Sequence, residues 1–91
     1  MDYRAIIRLF GNVQGTNLRA MVKMTALTLH LRGYVKNEED GSVEIFSEGK
    51  KEDIESFIRW LNERRGHEKI EKIEDYWSDS KNEFDDFVIR Y

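Results

Sequence analysis

Cysteine and proline are both missing from this chain of 91 residues. Without cysteine there is no disulfide framework, no thiolate nucleophile and no thiolate metal site. The two histidines, His30 and His67, are too few and too separated for a zinc site. The missing proline leaves the source open. Abundant Lys, Arg and Glu without cysteine suits a heat-adapted chain, but such chains usually carry more proline in their loops. Apolar runs never exceed a few residues, so no segment can cross a bilayer as a helix and no membrane partner is expected. The opening Met1-Asp2-Tyr3-Arg4 lacks an apolar signal segment, and we expect a cytoplasmic protein. Positive charge is also in deficit: 15 Lys and Arg face 18 Asp and Glu, a net charge of −3. Nucleic-acid binders usually carry the opposite excess, so no nucleic-acid partner is expected.

What is present is a solvated globular composition, 40% apolar and 36% charged, which argues against disorder. Residues 1–91 are long enough for one domain with one core. Residues 3–10 alternate, with Ala5, Ile7 and Leu9 on one face and Arg4, Ile6, Arg8 and Phe10 on the other, which predicts a strand. Residues 18–29 place Leu18, Val22, Thr25 or Ala26, and Leu29 at helical spacing, with Thr16 or Asn17 as N-cap. Strands over 33–37 and 42–46 flank Glu38-Glu39-Asp40-Gly41, and Asp-Gly between two alternating runs signals a hairpin. A second helix over 51–64 carries Ile54, Phe57, Ile58 and Leu61 on one stripe and closes with Arg64-Arg65-Gly66. Ile70, Ile73, Tyr76 and Trp77 mark a fourth strand that Asp75 interrupts, and Phe87-Val88-Ile89 a short last one.

This order is βαββαβ plus a short C-terminal strand. Both helices can hide their stripes on one face of a mainly antiparallel sheet. The expected class is α+β, a ferredoxin-like α/β sandwich.

Chemistry concentrates in Gly11-Asn12-Val13-Gln14-Gly15-Thr16-Asn17-Leu18-Arg19, a turn that leaves a strand and opens a helix. Backbone N–H groups converge in such a loop, and the helix dipole adds partial positive charge. Arg19 lies in the first helical turn. Helical side chains lean toward the N-terminus, so its guanidinium can reach back over the loop and fork onto two phosphate oxygens. The same glycines could equally serve only to permit the turn, and Arg19 could be a solvated surface arginine. Asn37 offers both a donor and an acceptor at the end of the second strand, which this fold places beside the start of the first helix. It is also ordinary hairpin chemistry before Glu-Glu-Asp-Gly.

Two linked stretches carry a family resemblance. Gly11-x-Val13-Gln14-Gly15-x-x-x-Arg19, then Gly33-Tyr34-Val35-x-Asn37-x-x-Asp40-Gly41-Ser42-Val43-Glu44, resembles the acylphosphatase signature. That signature reads G-x-V-Q-G-V-x-F-R and then G-x-V-x-N-x-x-D-G-x-V-E, with the arginine and asparagine at the separation found here. The resemblance implies hydrolysis of small acyl phosphates to carboxylate and inorganic phosphate, by a monomer without metal or cofactor. It assigns phosphate binding to Gln14, Gly15, Thr16, Asn17, Leu18 and Arg19, and orientation of the attacking water to Asn37. A carboxylate is a good leaving group, so positioning and charge stabilisation can suffice.

Three positions depart from the family. Thr16 replaces valine and Leu18 replaces phenylalanine, changes that could loosen the cradle. Such a cradle could serve a non-catalytic anion-binding or regulatory module instead. His30 stands where relatives have glycine and would carry strain if the backbone needs positive φ there. Trp60, Trp77, Phe46, Tyr76 and Tyr91 could suggest base stacking, but without a basic aromatic motif they are expected to pack in the core or at the sheet edge.

Overall fold

The alternation at the start of the chain becomes an interior strand of a sheet. The computed structural model describes residues 1–15, 17–66 and 69–91. Strand β1 (Tyr3–Gly11) buries Ala5, Ile7 and Leu9 on one face and leaves Arg4, Ile6, Arg8 and Phe10 partly exposed on the other. It is followed by α1 (Leu18–Thr28), β2 (Arg32–Asn37), β3 (Val43–Gly49), α2 (Lys51–Glu63), β4 (Ile70–Asp79) and β5 (Phe87–Arg90). The sheet order is β4-β1-β3-β2-β5. β1 pairs antiparallel with β3 and β4, β2 antiparallel with β3, and β5 parallel with β2. This is the expected ferredoxin-like arrangement.

The helix stripes meet the sheet in one core. Leu18, Val22 and Ala26 of α1 and Ile54, Phe57 and Leu61 of α2 join Ala5, Ile7, Leu9, Val35, Ile45 and Phe87 in a single buried cluster. Each large side chain hidden there contributes about 1.5–3 kcal/mol. α1 lies over β2 and β5, and α2 over β3.

The ends of the helices follow different chemistry from the one expected. Asn17 occupies the N-cap position of α1 but makes no side-chain capping bond, and Thr16 lies outside the described residues. At the other end, His30 N–H donates to Leu27 O (3.0 Å) and Leu31 N–H to Ala26 O (2.9 Å). That is a Schellman motif, and it needs a left-handed residue between. His30 supplies it at φ 60, so the anticipated strain is real. α2 stops at Glu63, before Arg64 and Arg65, and closes on an Arg64 N–H to Leu61 O bond (3.1 Å) without a left-handed Gly66.

Two strands outrun their sequence patterns. β3 continues through Glu48, whose carboxylate is fully buried. It accepts from the Ser80 hydroxyl (2.8 Å) and the amides of Lys81 and Glu83 (both 3.1 Å), which removes the cost of an unpartnered buried charge. β4 runs straight through Asp75, because the acid is exposed at the sheet edge and remains solvated. Asp75 accepts the Trp77 indole N–H at 2.7 Å. Trp77 is 38% exposed and meets the Tyr3 ring edge to face, at the sheet edge as expected. Trp60 stacks on Phe57, and Phe46 is buried. Tyr91 differs: it is 95% exposed and packs in neither place.

Candidate active site

The loop after β1 is built from a close approach, a buried anchor and a clamp. At Gly11, φ is 129, and a Cβ would sit 2.4 Å from the Lys69 carbonyl oxygen, so only glycine lets the chain leave β1 beside β4. Val13 is buried and ties the middle of the loop to the core, and Leu18 is buried where the loop ends in α1. The departure at Leu18 therefore keeps the loop's apolar anchor. Between them the Gln14 side-chain nitrogen donates to Glu38 O (2.7 Å) and Ser42 O (2.8 Å). The loop is thereby joined to the β2–β3 hairpin.

That hairpin carries Asn37 at its first strand's end, opposite Val43. Its turn is closed by Glu38 N–H to Ser42 O (2.9 Å) and Gly41 N–H to Glu38 O (3.1 Å). The Ser42 hydroxyl and then its amide donate to Asp40, holding that carboxyl below its usual range. Asn37 itself is partly buried, and its carbonyl oxygen Oδ1 is a buried acceptor with no partner among the described residues. Buried acceptors are normally satisfied, so this one calls for a donor other than the described residues, such as a water.

Arg19 is the second residue of α1 and half-buried, and its guanidinium carbon lies 5.1 Å from the Tyr91 ring centroid. β5 runs parallel to β2 with Lys36 opposite Arg90, so Tyr91 emerges beside Asn37. Together Asn37, Tyr91, Arg8, Lys36 and the acidic turn residues line a polar groove of about 590 Å³. Arg8, which lines this groove, pairs with Glu44 at 2.8 Å, and Glu44 also accepts the Tyr34 hydroxyl. Burial first, then that hydrogen bond, push the Tyr34 hydroxyl up to about 12.

Of the remaining residues assigned to the loop, Gly15 turns the chain at φ 82, and Asn17 is exposed at the helix start. No acidic side chain stands in the first turn of α1 to offset the positive end of its dipole. Gln14 commits its side-chain nitrogen to the hairpin. The place of Tyr91 at this site was not legible from the motifs. The signal was period two continued past the strand, from buried Phe87 through Ile89 to Tyr91 on the helix-facing side. Among the described residues, no group of three or more His, Cys, Asp or Glu is arranged to hold a metal ion.

The acylphosphatase family model matches residues 5–89. The chain belongs to the acylphosphatase family. An acylphosphatase of Paenarthrobacter aurescens is 40% identical over 86 residues, covering 94% of this chain and 92% of that protein. One from Picrophilus torridus is 43% identical over 81 residues, covering 89% and 94%. The crystal structure of acylphosphatase from Bacillus subtilis superposes with a TM-score of 0.89 at 33% identity, covering 98% of this chain and 99% of that one. The resemblance in the acylphosphatase motifs thus extends over nearly the whole chain and its fold.

Proposed function

We propose that this protein hydrolyses acyl phosphates, with the phosphate held by Arg19 and the backbone of Gln14–Leu18, and the attacking water held by Asn37. The observation that carries the reading is the buried Asn37 Oδ1, without a partner among the described residues, at the end of a hairpin clamped to the loop. A water that donates one hydrogen to Oδ1 turns a lone pair away from it, toward a phosphorus atom in the cradle. Attack forms a P–O bond and breaks the bond from phosphorus to the acyl oxygen. Water and acyl phosphate become carboxylate and inorganic phosphate, the water's protons ending on the phosphate. The leaving carboxylate needs no protonation, so no side chain is asked to act as an acid. The guanidinium and the loop amides stabilise charge on the phosphoryl oxygens as the bond loosens. The monomeric state and the cytoplasmic setting expected from the sequence belong to the same proposal.

The test is release of phosphate from a simple aryl acyl phosphate by the parent, Arg19→Ala and Asn37→Ala proteins. Activity in the parent that both variants lose supports the reading. A folded parent without activity, or variants as active as the parent, refutes it.

A further inference from the structure

Gln14 makes two hydrogen bonds that the hairpin does not need in order to form. Both carbonyls it contacts already accept a backbone amide: Glu38 O from Gly41 N–H and Ser42 O from Glu38 N–H. The side-chain nitrogen fills their second lone pairs, at 2.7 and 2.8 Å. A carbonyl with one bond already made tolerates losing the other, so the clamp's main effect is placement. The place is specific. Glu38 directly follows Asn37, and Ser42 directly precedes Val43, the residue paired with Asn37 across the hairpin. The clamp therefore brackets the Asn37–Val43 pair on both strands. Its other end is fixed by Val13, the buried residue preceding Gln14.

Resting on the proposed function above, we propose that Gln14 is a positioning residue whose carboxamide sets Asn37, and so the attacking water, in register with the phosphate cradle. Only a terminal –NH2 at this reach can serve both oxygens. Asparagine is one methylene too short. A glutamate carboxylate would face two carbonyl oxygens with no hydrogen to offer, whereas its protonated form supplies one.

The test compares parent, Gln14→Met and Gln14→Glu, well below their melting temperatures. In Gln14→Met, kcat should fall about 10- to 100-fold, in line with the cost of a small misplacement. Inhibition by inorganic phosphate should stay within about twofold, because the substitution alters only the side chain and keeps the backbone amides proposed to hold phosphate. Gln14→Glu should regain kcat relative to the parent as pH falls and the side chain becomes protonated. Weaker phosphate inhibition with kcat unchanged would make the Gln14 side chain a phosphate ligand and overturn the proposal. Lower melting temperature with unchanged kinetics would make it merely structural and overturn it too. The side-chain amide NMR signals of Asn37 separate this idea from the functional reading. They should move in Gln14→Met whether or not the parent turns over substrate. A parent without turnover but with moved signals refutes the hydrolase reading and keeps the clamp, and unmoved signals refute the clamp. Should Gln14→Met fail to fold, the pH response of Gln14→Glu decides the same question.

Discussion

The guanidinium of Arg19 rests over the ring of Tyr91, 5.1 Å from its centroid, and the same ring borders the groove that holds Asn37. One exposed aromatic thus touches both ends of the candidate site. A cation over an exposed ring gains about 0.5–1 kcal/mol, and a long side chain held in one place loses less entropy on binding a ligand.

Replacing that ring should therefore weaken phosphate binding. In Tyr91→Ala the KM for an acyl phosphate and the inhibition constant of phosphate should each rise about two- to fivefold, the size of the lost contact. kcat should change less, and Tyr91→Phe should behave as the parent. A Tyr91→Phe variant as impaired as Tyr91→Ala would show that the hydroxyl, and not the ring, matters.

The two motif residues should fail in different ways. Arg19→Ala should lose about 10²–10³ in kcat/KM, the usual cost of removing a charged donor from a transition state. Arg19→Lys should recover little, because an ammonium cannot fork onto two oxygens. Asn37→Ala should lose about 10²-fold in kcat with phosphate inhibition intact. Steady-state kinetics with phosphate as competitor distinguishes the two patterns, and equal loss of phosphate binding in both would contradict the division of roles.

His30 should be improvable. Its φ of 60 in the Schellman turn costs a non-glycine residue about 1–2 kcal/mol, part of which glycine returns through its freer unfolded chain. His30→Gly should gain about 0.5–1 kcal/mol in denaturant unfolding with activity unchanged. A destabilised variant would mean that the imidazole makes a contact worth more than the strain.

Alkaline stability should report on Tyr34. Its hydroxyl is raised from 10.0 to about 12 in the folded protein, so the unfolded chain releases this proton first. The folded state then has its full stability below about pH 10 and loses some as pH rises through about 12. Tyr34→Phe should flatten that decline when unfolding is followed from about pH 9 upward. A decline of equal slope in parent and variant would assign it to other groups.

Periodicity made most of this fold legible, since Ala5, Ile7 and Leu9 and the stripes of both helices are the core that the chain buries. It failed where a charge sits in a strand for local reasons. Glu48 looks like the end of β3 until the amides of residues 81 and 83 are seen to surround its carboxylate, and no spacing in the chain announces that pairing. Asp75 looks like a break in β4 only if a helix is assumed to cover it. At the site, the motifs pointed to Arg19 and Asn37 as single residues. The contacts that hold them, Gln14 across to the hairpin and Tyr91 under Arg19, span long separations and became visible only in three dimensions.

The sheet order also divides the site by how readily its parts open. The cradle hangs from β1, which is hydrogen-bonded along both sides, whereas Tyr91 follows a four-residue strand paired on one side only. Amides of β1 should exchange with solvent near the rate of global unfolding, and those of β5 at the rate of local fraying. The ring over Arg19 can thus come and go with the edge of the sheet while β1, from which the loop departs, stays paired on both sides.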